Sequence, residues 1–480
     1  MAASTRINVC AITSRYSKFR ICISHMSRPN KIHCHQINCI RPYASSNILT
    51  LHERGIFNDI FPDGSDELPK LLISGPQHIY CGFDPTADSL HIGNLLALIS
   101  LIHCQRAGHN SIALIGGATA LIGDPSGKTK ERDPLSKSAA ESNIRCIHDS
   151  LTRIFSNHER CIWKKDKPLP PVRILNNMDW YKDKNLIDFL STVGRYFRMG
   201  TMLSRHSVKT RLKSPEGMNL TEFLYQAFQA YDFYHLHKKY GCQIQIGGTD
   251  QLGNIMAGHE LISRITEKQV YGLAVPLVTT TTGDKLGKTE GNAVWLNADK
   301  TSSFELFQYF IRLPDIQMER YLKLFTFLPM NEIEDTMRKH RNKPENRTAQ
   351  KKLAEQVTLL VHGDEGLNKA IRFTNALYSG SPETLQQLSG AELKGLFKSA
   401  PSTVVTLEPG ITILQLGRLA NCLPQGGKAE QIIRDGGFHV NYKKVTNPNQ
   451  VLLQGEHILC NDLTLLKVGK KNYHIVQWVY

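Results

Sequence analysis

The sequence predicts an α/β fold with a Rossmann-like, doubly wound parallel sheet, followed by an α-helical domain and a small α+β domain. Between about residues 77 and 295, short apolar segments that end in Gly, Asn or Pro alternate with helical segments, as in parallel sheets. A charged helical region follows, and the C-terminal region returns to short strands. Because 480 residues exceed one core, we predict domains at 49–297, 298–400 and 409–480.

The elements are predicted in chain order from hydrophobic periodicity and turn residues. In the first domain, strands are expected at residues 78–83, 111–115, 172–175 and 242–246. The second domain should contain helices at residues 332–351 and 352–361. In the third, helices are expected at 410–420 and 429–435, and strands at 438–442, 457–460 and 473–478.

The N-terminal segment has the composition of a transit peptide. Residues 1–52 contain no Asp or Glu, and seven Lys or Arg residues are interspersed with serines. Ile12, Tyr16, Phe19 and Ile23 would share one helical face, so residues 1–48 are predicted to be an amphipathic mitochondrial transit peptide. The mature protein would then be in the mitochondrial matrix. The alternative is a disordered basic tail.

Charge and cysteine usage restrict the class of partner and the compartment. The formal net charge of +15 points to a polyanionic partner, with RNA and DNA equally open at this point. No apolar run is long enough to span a membrane. The cysteines form no C-x-x-C pair, and His235 and His237 are two apart on a predicted helix. We therefore expect reduced thiols and no protein-ligated metal.

The segment His91-Ile92-Gly93-Asn94 carries the first chemical signal. A predicted strand ends near Gly82, a turn follows, and Ser89 is expected to cap a helix whose first turn contains His91 and Gly93. Free amides and the dipole at a helix start favour phosphate groups. His91 could therefore hydrogen-bond a phosphate, although a lone histidine of this kind is more often structural.

The second signal is a threonine- and glycine-punctuated loop at residues 279–289. Lys285 and Lys288 are three residues apart, and Gly283, Gly287 and Gly291 would allow the loop to close over a pyrophosphate. A lone K-x-x-K is usually a solvated basic loop. Its occurrence together with the histidine segment favours ATP activation chemistry.

A third signal is a row of polar residues on one predicted helix. Tyr225, Gln229 and Asp232 lie at i, i+4 and i+7, and they share one face. The row spans about 10 Å by the helix rise, comparable with a tyrosine from its ammonium to its phenol oxygen. Apolar neighbours such as Phe228 and Phe233 argue against a plain exposed face.

With these motifs the chain resembles the class I aminoacyl-tRNA synthetases, specifically the tyrosyl-tRNA synthetases of the bacterial and mitochondrial type. The two segments are similar to the family's HIGH and KMSKS signatures, with Asn94 in place of the final His and Leu286, Gly287 and Thr289 in place of Met, Ser and Ser. These replacements are common in the tyrosyl branch. The resemblance covers roughly residues 51–480.

The resemblance implies a reaction and a set of site residues. Tyrosine would be activated by ATP, with Mg²⁺ as co-substrate, and transferred to the 3′ end of tRNA(Tyr). The catalytic residues implied are Thr86, His91, Lys285, Lys288 and Thr289. The tyrosine-binding residues implied are Tyr80 and Asp232 for the hydroxyl, Asp124, Tyr225 and Gln229 for the ammonium, and Gln251 for the carboxylate region. The ATP-binding residues implied are Asp84, His91, Gly93, Asn94, Gly248, Asp250, Val278 and Lys288.

The resemblance also implies partners, and it leaves alternatives. Residues 409–480 resemble an S4-like RNA-binding domain, residues 298–400 an anticodon-side helical domain, and residues 189–204 would lie near a homodimer interface. A tryptophanyl synthetase shares both nucleotide signatures but would not need Tyr80 with Asp232. An RNA-binding or splicing protein built on an inactive synthetase scaffold is the alternative of a different class.

Overall fold

Six strands form the sheet that carries the site, in the order β1-β6-β5-β2-β3-β4. The strands are β1 Asp59–Phe61, β2 His78–Phe83, β3 Asn110–Ile115, β4 Arg173–Asn176, β5 Cys242–Gly248 and β6 Tyr271–Val275. All neighbours are parallel except β1, which is antiparallel to β6. The predicted parallel sheet is confirmed, and the four predicted strands agree within two residues at each end.

The sheet is buried on both faces, as its sequence requires. Every residue of β6, five of the six residues of β3 and four of the six residues of β2 are buried, which explains the continuous apolar runs in place of alternation. The helices of this region are α1 Glu67–Ser74, α2 Ile92–Arg106, α3 Thr119–Ile122, α4 Lys137–Asn157, α5 Met178–Tyr181, α6 Leu186–Thr192, α7 Met199–Ser204, α8 His206–Leu212, α9 Leu220–Tyr240 and α10 Leu252–Thr266. A π-helical turn, His158–Ile162, extends α4.

This computed structural model describes residues 51, 53–64, 66–128, 130–279, 286–289, 292–378, 381–397, 400–469 and 472–480. The predicted transit peptide at 1–48 lies outside the described residues. Within them, no helix combines the length and the apolar character needed to cross a bilayer. The described cysteines are all free thiols.

Order reversal in the sheet defines where a ligand is expected. From β2 the chain continues to β3 on one side, whereas β5, much later in sequence, pairs with β2 on the other side. Ligands in doubly wound sheets bind at the carboxyl ends of the strands, where the strand order reverses. The crevice beyond β2 and β5 is therefore the expected site.

A helical region follows the sheet and shares its hydrophobic core. Its helices are α11 Ser303–Ile311, α12 Met318–Phe325, α13 Met330–Asn342 and α14 Thr348–Tyr378. The backbone of α14 is interrupted at Gly363, where φ is +69°. The predicted break at residues 351–352 is wrong, because α14 runs unbroken through that point and α13 ends at Asn342. Ile79 of β2 and Val357 of α14 belong to one continuous cluster of buried side chains.

A second sheet forms the C-terminal region, with the strand order β11-β10-β12-β13-β9. Its strands are β9 Ser402–Thr406, β10 Phe438–Val440, β11 Lys443–Val445, β12 Leu463–Val468 and β13 Asn472–Val479. The remaining helices are α15 Pro382–Gln386, α16 Gly390–Leu396, α17 Ile413–Leu419 and α18 Gly427–Arg434. β9 is parallel to β13 and lies before residue 409, so the sheet includes residues ahead of the predicted boundary.

Two predicted C-terminal strands need correction. The strand expected at 438–442 ends at Val440, because Asn441 and Tyr442 have positive φ and form the turn to β11. The strand expected at 457–460 is wrong. The carbonyl oxygen of His457 accepts hydrogen bonds from the side chains of Asn441 and Thr464, so this segment is held as a turn, and the ladder strand is β12.

Candidate active site

A cavity of about 390 Å³ lies at the carboxyl ends of β2 and β5, where the topology predicts a ligand. Its volume is in the range typical of small-molecule sites. Predicted site residues that line it are Tyr80, Asp84, Thr86, His91, Gly93, Asn94, Asp124, Tyr225, Gln229, Asp232, Gly248, Asp250, Gln251 and Val278. Residues from five separate stretches of sequence thus meet in one cavity.

One end of the cavity carries the two groups assigned to a phenol. The Tyr80 hydroxyl is buried and has no hydrogen-bond partner among the described residues. The Asp232 carboxylate is buried on the adjoining helix α9, and it accepts hydrogen bonds from Asn177 Nδ2 and Trp180 Nε1, each at 2.9 Å. Burial raises the pKa of Asp232 to about 7, although these hydrogen bonds oppose the shift.

Further along α9, Tyr225 connects the helix to the end of β2. Its hydroxyl donates to Asp84 Oδ2 at 2.7 Å, and Thr119 Oγ1 donates to Asp84 Oδ1 at 2.7 Å. A side chain at Gly116 would place its Cβ only 1.9 Å from Asp84 Oδ1, so this approach requires glycine. Burial raises the pKa of Asp84 to about 6, with the two hydrogen bonds acting against it.

The groups assigned to the ammonium and carboxylate form one connected network. Gln251 Nε2 donates to Asp124 Oδ2 at 2.7 Å. Asn254, one turn into α10, donates to Gln229 Oε1 at 3.0 Å and to Gln251 Oε1 at 3.2 Å. Asn254 thus joins Gln229 of α9 to Gln251, which precedes α10.

The helix start differs from the prediction in its capping residue. Ser89 is not the N-cap: its hydroxyl donates to Leu90 O at 2.8 Å and accepts from Asn297 N–H at 3.1 Å. His91 is itself the N-cap of α2, and Asn94 Oδ1 accepts from the His91 amide at 3.1 Å. The imidazole therefore lies directly at the helix N-terminus, and His91 precedes the first helical turn in which it was predicted to lie.

Two glycines allow close approach at the end of the cavity near His91. A Cβ at Gly93 would lie 2.7 Å from His91 Cε1, so the imidazole packs directly over the glycine backbone. A Cβ at Gly248 would lie 2.5 Å from Asp250 Oδ1. The first of these contacts gives Gly93 a role in placing His91, which the sequence did not reveal.

The lysine segment, residues 285–289, is attached to the cavity wall by backbone hydrogen bonds. Leu286 N–H donates to Val278 O at 2.9 Å, Val294 N–H donates to Gly287 O at 2.7 Å, and both Leu286 and Gly287 line the cavity. Lys288–Thr289 form strand β7, paired with β8 Asn292–Ala293, rather than part of an open loop. Lys285 lies outside the described residues.

The segment after β8 is attached to the start of α2. Ile92 N–H donates to Val294 O at 3.0 Å, Leu296 N–H donates to Leu90 O at 2.8 Å, and His91 forms a β-bridge with Trp295. The two signatures, almost two hundred residues apart in sequence, are therefore neighbours in space. Asp232 and the residues preceding Lys288 share one cavity.

Sequence reasoning missed the residues that hold the predicted ones in place. Asn177 and Trp180 bind Asp232, and Thr119 binds Asp84. Asn177 could have been suspected, because it follows β4 at the same carboxyl edge of the sheet. No local pattern distinguishes Trp180 or Thr119, because their partners come from distant segments.

The fold and this site together define a class I tRNA synthetase. Residues 74–379 match the family described as tRNA synthetases class I (W and Y), and the chain belongs to this family.

Relatives confirm the tyrosyl branch within that family. The chain is 54% identical over 443 residues to the mitochondrial tyrosine–tRNA ligase of Drosophila melanogaster, covering 91% of this chain and 96% of the relative. It is 42% identical over 430 residues to the tyrosine–tRNA ligase of Bacillus caldotenax, covering 89% and 98%. A C-terminally truncated mitochondrial tyrosyl-tRNA synthetase of Aspergillus nidulans superimposes with a TM-score of 0.63 at 35% identity, covering 68% of this chain and 93% of that one.

Proposed function

We propose that this chain is a mitochondrial tyrosine–tRNA ligase. It activates L-tyrosine with ATP to tyrosyl-adenylate, releases pyrophosphate, and transfers tyrosine to the 3′ end of tRNA(Tyr). The observation that carries the proposal is the unpartnered hydroxyl of Tyr80 beside Asp232, in the same cavity as His91. A buried hydroxyl without a partner costs free energy, and the hydroxyl of bound tyrosine would remove that cost.

The residues around the cavity divide between the two ends of tyrosine. Tyr80 and Asp232 bind the phenol hydroxyl, and the network of Asp124, Gln229 and Gln251 binds the ammonium and carboxylate end. Tyr225 acts with this network, and its hydroxyl is oriented by Asp84. This arrangement turns the tyrosine carboxylate toward the nucleotide end of the cavity.

The nucleotide end binds ATP, with Mg²⁺ as co-substrate. Gly93, Asn94, Gly248, Asp250 and Val278 contact the adenosine, with Asp84 beside the adenylate. The tyrosine carboxylate attacks the α-phosphate and forms a new C–O–P link, and the bond to pyrophosphate breaks. Thr86, His91, Lys285, Lys288 and Thr289 stabilise the charge that develops on the phosphates, so no enzyme nucleophile is needed.

Exchange between pyrophosphate and ATP tests the first step. Purified protein lacking residues 1–48 should catalyse this exchange with tyrosine and with none of the other common amino acids at a comparable rate. A Lys288→Ala variant should lose most of the rate with little change in tyrosine binding, because the lysine acts on the transition state. Exchange that does not depend on tyrosine would refute the proposal.

The remaining domains serve tRNA and assembly in this proposal. The C-terminal sheet and its two helices form an S4-like RNA-binding domain, and the helical region is the anticodon-side domain. Homodimerisation uses the surface near residues 189–204, where Leu186 and Ile187 are 67% and 69% exposed. Leu190 of the same helix is also exposed, and a contiguous apolar patch marks an interaction surface. A Leu186→Lys substitution should therefore produce monomers in sedimentation velocity, and an unchanged sedimentation coefficient would argue against this surface.

Delivery to the mitochondrial matrix is assigned to residues 1–48. Their lack of acidic residues and their spaced basic residues fit a transit peptide. Fusion of this segment to a fluorescent reporter should direct the reporter to the matrix. A reporter that stays in the cytosol would refute the assignment.

A further inference from the structure

Two tyrosines of the helical region contact the chain near both ends of the threonine- and glycine-punctuated loop. Tyr309 lies on α11 and Tyr321 on α12, outside the lining of the cavity. The amide of Gly287 donates to the Tyr309 hydroxyl at 2.8 Å. The Tyr321 hydroxyl donates to Thr279 O at 3.2 Å. The helical region therefore binds the backbone of the loop at two points, by side chains that lie away from the substrates.

Gly287 is enclosed by the helical region and by the start of helix α2. Its φ is +88°, and a Cβ at this position would lie 3.0 Å from the Cβ of Ile92, the first residue of α2. The carbonyl oxygen of Gly287 accepts from Val294 N–H at 2.7 Å, while its amide is bound by Tyr309. Only glycine fits this backbone. Because Lys288 is the next residue, the position of the Gly287 peptide determines where the lysine begins.

The tyrosine hydroxyls remain protonated near neutral pH. Burial, and after it the neighbouring Tyr309, raise the pKa of Tyr321 to about 12. Burial also raises the pKa of Tyr309, and the hydrogen bond from the Gly287 amide opposes this shift. A neutral phenol can both donate and accept hydrogen bonds. Both contacts are therefore available over the whole pH range in which the site works.

The two helices that carry these tyrosines are packed into the main core. Leu286, which precedes Gly287, is buried in the same cluster as Phe310 of α11 and Leu322 of α12. The guanidinium of Arg54 donates to Leu328 O at 2.7 Å, just beyond the end of α12. Side chains that position a functional group must themselves be held by packing and hydrogen bonds. This support is present here.

We propose that Tyr309 is a positioning residue for tyrosine activation, because its hydroxyl fixes the Gly287 backbone and thereby directs Lys288 toward the phosphates. The inference rests on the proposed function, in which Lys288 acts on the transition state. A misplacement of about 1 Å can cost up to about 100-fold in rate. Tyr321 supports the same loop from its other end. The helical region therefore takes part in the first step of the reaction as well as serving tRNA.

Tyr309→Phe tests the proposal because it removes the hydroxyl and keeps the ring. The kcat for tyrosine-dependent pyrophosphate exchange should fall about 3- to 10-fold, with KM for tyrosine unchanged. A hydroxyl that served only the fold would lower the free energy of unfolding and leave kcat as in the wild type. Tyr442→Phe is the matched control, since that hydroxyl also bonds a backbone group, Ala376 O. An unchanged kcat in Tyr309→Phe would overturn the proposal.

Tyr321→Phe is the second variant, to be used also if Tyr309→Phe does not fold. Gln317 Nε2 donates to Thr279 O at 3.4 Å as well, so one contact to this carbonyl survives the substitution. The loss of kcat should therefore be of the same kind but smaller than in Tyr309→Phe. A wild-type kcat in Tyr321→Phe would remove the second point of attachment from the proposal.

A double-mutant cycle decides whether Tyr309 acts through the lysine. In a Lys288→Ala background, Tyr309→Phe should have almost no further effect on kcat. In an Asp232→Asn background, which alters the phenol end of the cavity, it should keep its full effect. Equal losses in the two backgrounds would show that Tyr309 does not act through Lys288, and the proposal would be wrong.

Hydrogen exchange of the free protein separates this inference from the proposed function. The peptide that contains the Gly287 amide should exchange up to about tenfold faster in Tyr309→Phe than in the wild type. A wild-type protein without tyrosine-dependent pyrophosphate exchange would refute the proposed function, whereas faster amide exchange in the variant would still show that the hydroxyl holds the segment. An active wild type in which neither kcat nor amide exchange responds to the substitution would refute the inference alone.

Discussion

Single residues around Tyr80 are arranged for a ligand rather than for the stability of the fold. The Tyr80 hydroxyl lacks a partner among the described residues, while its neighbour Asp232 is a buried carboxyl with a raised pKa. Both features cost stability in the free protein. Such costs concentrate at functional sites, where a substrate relieves them.

Tyr80→Phe should therefore lower activity without lowering the stability of the fold. Loss of the hydroxyl removes a hydrogen bond to the tyrosine phenol, so kcat/KM for tyrosine in pyrophosphate exchange should fall about 3- to 10-fold. The free energy of unfolding in urea should stay constant or rise by up to about 1 kcal/mol, because an unpaired buried group is removed.

Tyr442→Phe is the matched control for that experiment. The Tyr442 hydroxyl donates to Ala376 O, in a hydrophobic cluster that the end of α14 forms with the C-terminal sheet, away from the site. This substitution should lower the free energy of unfolding by about 1 kcal/mol and leave tyrosine activation unchanged. A loss of stability in Tyr80→Phe similar to that in Tyr442→Phe would show that the Tyr80 hydroxyl serves the fold.

The raised pKa of Asp232 predicts a pH-dependent preference for tyrosine. Below its pKa of about 7 the carboxyl holds a proton, so it no longer accepts a full-strength hydrogen bond from the phenol. The ratio of kcat/KM for tyrosine to that for phenylalanine should fall as pH drops from about 8 to about 6.

Taking that ratio removes the contribution of Asp84. Asp84 also titrates in this range, with a pKa of about 6. It lies away from the phenol end of the cavity, so its protonation should affect tyrosine and phenylalanine equally. In Asp232→Asn the ratio should be low and independent of pH. A wild-type ratio that stays constant across this range would contradict the assignment of Asp232.

At the scale of elements, the start of helix α2 depends on one glycine. A methyl group at Gly93 would meet the His91 ring at 2.7 Å and displace it from the helix N-terminus. Gly93→Ala should lower kcat for exchange on the order of tenfold or more, with little effect on the dissociation constant for tyrosine measured by fluorescence.

A double-mutant cycle decides whether Gly93 acts through His91. In a His91→Ala background, Gly93→Ala should have almost no further effect, because the displaced ring is absent. Gly395→Ala on helix α16 is the control, since a methyl group there has no neighbour within 4 Å. An undiminished effect of Gly93→Ala without the imidazole would point to a direct contact with the nucleotide instead.

Elements that are specified by residue patterns within their own segment could be predicted from the sequence. Elements that depend on contacts with distant segments could not. Strands β2 and β5 and the polar row on α9 follow from apolar runs and helical period, which are local patterns. The capping role assigned to Ser89 failed because its hydroxyl accepts from Asn297, a residue far along the chain. The strand predicted at 457–460 was wrong for a similar reason, because side chains from other segments donate hydrogen bonds to the His457 carbonyl.

In the site, the residues expected to contact the ligands could be predicted, but the residues that orient them could not. The residues that would touch tyrosine and ATP were found by spacing and by family resemblance, and all of them outside the lysine segment 285–289 line one cavity. Asn177, Trp180 and Asn254 orient those residues from other elements. Tertiary hydrogen bonds of this kind leave no periodic trace in a single sequence.

At the scale of the whole molecule, burial divides the chain differently from the predicted boundaries. The catalytic sheet and the helical region up to Ala370 share one buried cluster. Residues Phe373 to Phe397 pack instead against β12 and β13 of the C-terminal sheet. We therefore predict that the chain divides near the end of α14, with the last turns of the helical region folding together with the C-terminal sheet.

Two truncations test this division. A chain ending at Tyr378 keeps the shared cluster intact, so it should retain tyrosine-dependent exchange at close to the full rate. Its charging of tRNA should fall on the order of 100-fold, because the basic C-terminal surface is removed. The Aspergillus nidulans relative, which covers 68% of this chain, was solved as a C-terminally truncated protein, so a relative folds without its C-terminal part.

A chain ending at Glu408 should behave worse than the shorter one, although it is longer. It keeps β9 but loses β13, the strand that pairs with it. It also keeps Leu385, Leu388 and Leu393 without the strands that cover them. Unpaired strand edges and exposed leucines promote aggregation, so the soluble yield of this chain should be the lower of the two. Equal solubility of both truncations would mean that the helices after Tyr378 fold without the C-terminal sheet, and the boundary would then return to residue 409.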